Sequence, residues 1–199
     1  MKNAHLLLGL EQMQAGITPT RFQYGLLPTW AQARTSIIHD GIDTRWLSPN
    51  PHACLELSDG TKLSAGAPVV TFVNRTFEPY RGIHVFLDAL SKAQARMPEM
   101  HAILVGSDRA HVSYGSSRSD GRGWLAALRE LHGDQLDWQR IHVLGTIPHK
   151  TLRTVYQVSA AHVYLSYPFV LSWSMLEAMA CGCLLIGSDV PPVTEVLED

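Results

Sequence analysis

Five short apolar runs alternate with helix-spaced stretches along most of this chain, and that alternation restricts the fold more than any single residue. The runs are Val69-Val-Thr-Phe-Val73, Ala102-Ile-Leu-Val105, Ile141-His-Val-Leu144, His162-Val-Tyr-Leu165 and Leu184-Leu-Ile-Gly187. Each has strand length. Between them Ile83, Phe86, Leu87 and Leu90 share one helical face, as do Trp124, Leu125, Leu128 and Leu131, and then Leu152, Val155 and Tyr156. Strands without polar alternation, separated by helices, must be buried on both faces, which is the situation of a parallel sheet. The fold class is therefore α/β: a Rossmann-like parallel sheet with helices on both faces. Hydrophobic residues make up 46% of the 199 and charged residues 17%, enough apolar surface for one real core and too much for a disordered chain.

The flanks are less regular. Leu6, Leu7, Leu10 and Met13 predict a helix over residues 4–15 that ends at Gly16, with Thr18-Pro-Thr20 breaking it. Ser36-Ile-Ile-His39 reads as a strand closed by the Asp40-Gly41 turn. Residues 48–67 read as a loop carrying a small hairpin at Leu55–Leu63, and the last residues, 195–199, as the first turn of a helix. The Ser/Arg/Gly run at 113–123 lacks the spacing of a dinucleotide fingerprint or a P-loop and reads as a mobile surface loop.

Composition excludes several functions. A net charge of −2 gives no basic footprint for nucleic acid. Three cysteines are too few for a disulfide framework and point to a reducing compartment, and Cys181 and Cys183 read as small buried residues at a helix end. No Asp-x-Asp and no His-Glu-x-x-His occurs, so no metal is expected. The amino-terminal apolar run is too short for a signal peptide, and no stretch approaches the roughly 18 apolar residues of a membrane span. A cytoplasmic location is expected, and Asn74-Arg-Thr76, formally a glycosylation sequon, then has no role.

Candidate chemistry gathers where strands end, because open parallel sheets bind ligands beyond their carboxyl edges. After Val163-Tyr-Leu a loop opens a helix that runs to Gly182. Ser172 or Ser174 can cap it, and its first-turn N–H groups and dipole make a seat for phosphate. Glu177 follows one turn later. Ser174-Met-Leu-Glu177 also fits a capping box, in which the glutamate merely satisfies an orphan N–H. Arg75 and Arg81 lie in the segment Asn74–Gly82 after the first strand of the series, where two guanidinium groups suit a diphosphate or are simply solvated. Gly106 ends the next strand and either admits a ligand close to the backbone or only ends the strand.

The string Leu176-Glu-Ala-Met-Ala-Cys-Gly-Cys-Leu-Leu-Ile-Gly-Ser-Asp-Val190, followed by Val193-Thr-Glu195, resembles the family-4 retaining glycosyltransferases of the GT-B fold. His39-Asp-Gly-Ile-Asp-Thr44, with Pro49 behind it, is similar to that family's link between its two domains. The resemblance implies that Glu177 holds the ribose hydroxyls of a nucleotide-sugar donor. It implies that Arg75 and Arg81 clamp the donor pyrophosphate and stabilise it as it leaves, although the family more often has Lys at the second position. In the segment His142–Pro148 the backbone of Gly145, Thr146 and Ile147 reads the base, and Gly106, Leu171, Ser172, Trp173 and Met175 complete the donor site. Arg75, Arg81 and Glu177 are the catalytic set. The nucleotide-diphosphate sugar is substrate, not cofactor, and arginines with a helix dipole stand in for a metal. The acceptor is a saccharide or glycolipid, reached with peripheral membrane contact through a first domain. On this reading residues 1–40 are a remnant of that acceptor domain, 41–67 a link and loop, and 68–199 a donor-binding domain truncated at its carboxyl end.

One position departs from the pattern. Where the family has a second glutamate, eight residues before Glu177, this chain has Phe169. That change fits a subgroup that works without it, an altered choice of sugar, or an inactive copy. A non-catalytic nucleotide-binding module is the alternative that Phe169 favours. A GT-B nucleotide-sugar epimerase is another, but it needs an acidic and histidine pair that the sequence does not display. A Rossmann-like signalling domain needs an acidic cluster that Asp108 and Asp189 do not make.

Overall fold

A computed structural model describes residues 3–197, and the chain forms two compact units. The larger comprises Ile42–Tyr167 and Ser172–Ser188. Its sheet contains β5 (Val69–Thr76), β6 (His101–Ser107), β7 (Ile141–Gly145), β8 (Ala161–Tyr164) and β9 (Leu184–Gly187) in the order β7-β6-β5-β8-β9. Every neighbouring pair is parallel, as the alternating runs require. Helices α4 (Ile83–Arg96), α5 (Trp124–His132), α6 (His149–Val158) and α7 (Trp173–Ala180) carry the crossovers.

The two-residue period of the strands divides the core into two layers. Phe72 and Leu104 point to one face, where Ile83, Phe86, Leu87 and Leu90 of α4 and Leu125 and Leu128 of α5 cover them. Val73, Ile103 and Val105 point to the other and meet Val155, Tyr156 and Val158 of α6 and Ala178 of α7. The small hairpin expected at Leu55–Leu63 within residues 48–67 is present. Here β3 (Cys54–Glu56) and β4 (Lys62–Ser64) form an antiparallel hairpin whose Leu55 and Leu63 are buried in this second layer. Cys181 and Cys183 are buried too, and burial first pushes their thiols up to about 11 and about 12, so they act as small apolar groups.

Two glycines fix how loops meet the carboxyl edge. Gly82, at φ +77°, starts α4, and a Cβ there would lie 2.5 Å from Leu165 Cβ and 2.8 Å from its carbonyl oxygen. The turn before α4 thus rests on the segment that leaves β8. Gly106 faces the Asn74 carbonyl, which a Cβ would approach to 2.4 Å. The pairing of β5 with β6 shifts register at this place, between Val73 and Thr76.

The smaller unit contains residues up to Gly41, Pro168–Leu171 and residues from Asp189 onward. In it β1 (Gly16–Thr18) pairs in parallel with β2 (Thr35–Ile37), beside α1 (Ala4–Gln12), α2 (Arg21–Gly25), α3 (Thr29–Gln32) and α8 (Pro191–Thr194). The first helix stops three residues before the expected Met13–Ala15 end, and Gly16 opens a strand instead of closing a helix, donating its N–H to the Arg34 carbonyl. The strand expected at Ser36–His39 begins one residue earlier. At the carboxyl end, helical hydrogen bonds run on from α8 to Leu197, while the rest of the turn read at 195–199 lies outside the described residues. The Glu195 carboxylate accepts from the N–H groups of Arg21 and Phe22, capping α2.

Candidate functional site

The sequence-derived candidates fall into two clusters at the carboxyl edge of the parallel sheet. Arg75 is not in a loop but on β5, past the register shift, where the extended strand carries it outward. It is exposed and makes no hydrogen bond or ion pair among the described residues. Arg81 ends a 3-10 turn, Pro79–Arg81, just before Gly82. Its Nη1 donates to Ser166 Oγ at 3.0 Å, its Nε lies 3.9 Å from Glu78 Oε1, and its guanidinium sits 5.0 Å from the Tyr114 ring centre. Three loops, those leaving β5, β6 and β8, therefore meet at one arginine.

The 113–123 run, exposed at most positions as a surface loop, is part of this arrangement through its first residues. Ser113 N–H donates to Thr76 Oγ1, and Tyr114 N–H donates to Glu78 Oε2 at 2.9 Å. Gly115 packs directly on the Tyr80 ring. Further along, Arg118 pairs with Asp120 and Arg122 with Asp120 and Glu130. Asp108 accepts from the first-turn N–H groups of Leu125 and Ala126 and so caps α5.

The second cluster surrounds Glu177. Ser172, not Ser174, is the N-cap of α7: its backbone is extended and its Oγ accepts from Ser174 N–H. That count makes Glu177 the fifth helical residue, two beyond the capping-box position, so the capping reading of Ser174–Glu177 fails. The buried Glu177 carboxylate (7% exposed) instead accepts from His149 Nε2 at 2.8 Å. His149 opens α6, and its ring lies 4.6 Å from that of Trp46. This is an acidic and histidine pair that sequence inspection missed, because 28 residues separate the partners. The only signal was that both residues lie in the first turns of helices that follow successive strands of the series.

The Tyr156 hydroxyl is buried beside this carboxylate without a hydrogen-bond partner. Burial, and after it the Glu177 charge, raises its pKa well above the ordinary phenol value, so the phenol stays protonated. Met175 is fully buried, and Trp173 is exposed. Ser172 also donates its N–H to Tyr164 Oη at 3.2 Å, which fixes the start of α7 against β8.

The remaining candidates divide. Gly145 ends β7 at φ +66°, followed by exposed Thr146 and half-buried Ile147, immediately before His149. At Gly106 the Asn74 carbonyl lies where a side chain would begin, so the position has no room for a Cβ. Leu171 is buried and, with Phe169, belongs to the smaller unit rather than to either cluster.

Residues 67–199 match the family described as Glycosyl transferases group 1, and residues 1–47 match the Glycosyl transferase family 4 group. A phosphatidylinositol N-acetylglucosaminyltransferase subunit of Arabidopsis thaliana is 24% identical over 90% of this chain and 34% of its own length. A phosphatidyl-myo-inositol mannosyltransferase of Mycolicibacterium smegmatis is 31% identical over 65% of this chain and 30% of its own. The chain thus spans about a third of the length of these relatives. Among solved structures, the pneumococcal O-GlcNAc transferase GtfA, in complex with UDP and GlcNAc, superposes with a TM-score of 0.67 at 18% identity, covering 95% of this chain and 33% of that one. The fold is thus that of GT-B glycosyltransferases, and with two-thirds of its residues matched, the chain belongs to the Glycosyl transferases group 1 family.

Proposed function

We propose that the protein is a retaining glycosyltransferase that moves a sugar from a nucleotide-diphosphate donor to a glycolipid or polysaccharide acceptor. The observation that carries this reading is Glu177: a buried carboxylate on the first helix after β8, held by His149 and outside capping range. A carboxylate so placed can accept from both hydroxyls of a ribose. Arg75, near the end of β5, and Arg81, in the turn that follows it, lie at the same sheet edge and suit the diphosphate. They stabilise the charge that develops as the sugar departs, while the α7 N-terminus adds its dipole, so no metal is needed on this reading. The backbone at Gly145–Ile147 faces the base.

The relatives named above act on phosphatidylinositol and phosphatidyl-myo-inositol, by their names, which supports a lipid-linked acceptor and peripheral contact with the cytoplasmic face of a membrane. Among the described residues no helix is long and apolar enough to cross one.

Calorimetric titration with UDP, GDP and their sugar conjugates, followed by transfer of labelled sugar to phosphatidylinositol vesicles, tests the proposal. Saturable binding of one nucleotide sugar and label in the lipid fraction are expected from the full-length enzyme. Binding without transfer to any acceptor favours the non-catalytic module for which Phe169 argues. Absence of nucleotide binding refutes both.

A further inference from the structure

Glu78 is the least accessible charged residue of the described chain, at 0% exposure. It precedes the Pro79–Arg81 turn with extended backbone, φ −153°, which folds its side chain under the turn. Oε2 accepts from Tyr114 N–H at 2.9 Å, while Oε1 is buried without a hydrogen bond. A buried carboxylate left without compensation is strongly destabilising. The charge facing Oε1 is Arg81 Nε at 3.9 Å, an electrostatic contact too long for a hydrogen bond. Arg81 is itself nearly enclosed, its side chain 12% exposed, between Glu78, Ser166 and the Tyr114 ring.

These contacts do two things at once. Held on its Nε side by Glu78 and at Nη1 by Ser166, the planar guanidinium has little freedom to rotate. Through Tyr114 N–H the same carboxylate anchors the loop that supplies the ring against Arg81. Arg75 has no such support. We propose that Glu78 is a positioning residue: it holds Arg81 in a fixed plane at the sheet edge, ready to receive a diphosphate, and leaves Arg75 to adjust once the anion is bound. Pre-ordering a cation reduces the entropy lost on binding. The inference rests on the reading of the Arg81 edge as a diphosphate site.

The test uses Glu78→Gln, which keeps the shape and the acceptor for Tyr114 N–H but removes the charge. Phenylglyoxal labelling followed by mass spectrometry gives the reactivity of Arg81 with Arg75 as internal reference. Calorimetry gives affinity for UDP and for inorganic pyrophosphate. Several-fold faster labelling of Arg81 relative to Arg75 is expected, together with about tenfold weaker binding of both probes, the size of one lost charge-assisted contact. If Glu78→Gln does not fold, Glu78→Asp keeps the charge but withdraws it by one methylene, and the same change in the labelling ratio is expected on a smaller scale. Parent-like Arg81 reactivity in the folded variant overturns the positioning role, even where the parent binds both probes. A parent that binds neither probe overturns the diphosphate reading and this role with it.

Discussion

The substitution that separates the uses of Glu177 is Glu177→Gln, compared with Glu177→Ala. The carboxylate makes one 2.8 Å hydrogen bond, to a histidine whose side chain is 55% exposed. Solvent can replace that partner, so losing the pair costs little beyond the surface-pair range of about 0–1 kcal/mol. Gln still accepts from His149, and it relieves the desolvation of a buried charge. The expected stability change for Gln is therefore under about 1 kcal/mol, or about 2–4 °C in Tm for a chain of this size. Ala leaves a void beside Tyr156 and should cost more. Affinity behaves differently. Each hydrogen bond from a ribose hydroxyl to the ionised carboxylate is worth about 1.5–3 kcal/mol, so either substitution should weaken nucleoside diphosphate binding about tenfold or more. Calorimetric titration with whichever of UDP and GDP the parent binds, alongside thermal melts of all three proteins, makes the comparison. If Gln binds as the parent does while Ala only lowers Tm, Glu177 anchors His149 and has no part in the donor site.

Other perturbations read separate parts of the structure. Burial pushes His162 down to about 3, while an unfolded histidine protonates near 6.5. The unfolded state alone therefore takes up the proton below that value, and stability should be full above about pH 6.5 and fall by about 1.4 kcal/mol per unit toward pH 3; a flat Tm between pH 6.5 and 4.5 refutes it. Gly106→Ala should cost at least about 1–3 kcal/mol by forcing a methyl against the Asn74 carbonyl, measured by urea denaturation. Asp108→Ala removes both bonds that cap α5 and should cost about 0.5–2 kcal/mol without changing the labelling of Arg81. Of the three cysteines only Cys54 is exposed, so Ellman's reagent should titrate one thiol in the native protein and three after denaturation.

How much was legible follows from the range of each interaction. The five strands were readable because their signal is local: apolar runs of strand length such as Val69–Val73 belong in a sheet covered on both faces, and the structure pairs all five in parallel, although at the edge strand β9 Leu184 and Ile186 stay exposed. Helix spacing placed α4 to α6 for the same reason. Arg75 and Arg81 were found through the segment after the first apolar run, but not that Arg75 belongs to the strand itself, nor their difference in support, because that depends on Glu78, Ser166 and Tyr114 from three loops. The capping box at Ser174 was a plausible local pattern that lost to Ser172, whose neighbour Tyr164 Oη fixes the helix start two residues earlier. Composition showed the surface loop at 113–123 but not its contacts. Serine, arginine and glycine look mobile on average, yet here the arginines pair with Asp120 and Glu130 and the serine and tyrosine N–H groups meet buried acceptors.

The two clusters also differ in kind, and the difference matters for a donor with two unlike handles. A diphosphate carries formal charge and is strongly hydrated, so a group that receives it must be placed before the water is removed. Arg81 meets that requirement, with its side chain already held by Glu78 and Ser166. A ribose is neutral and asks only for acceptors, so its partner can be shared beforehand with a solvent-exposed group. Glu177 is in that state, with Oε1 occupied by His149 from the helix that follows Gly145–Ile147. On the proposed reading, donor binding then joins the loops after β5, β7 and β8, and the diphosphate end should set affinity while the ribose end sets discrimination. That order is measurable. Glu78→Gln should weaken UDP and inorganic pyrophosphate alike, whereas Glu177→Gln should weaken UDP and leave pyrophosphate unchanged. Equal losses on pyrophosphate in both variants would show that the two clusters do not act on separate parts of one ligand.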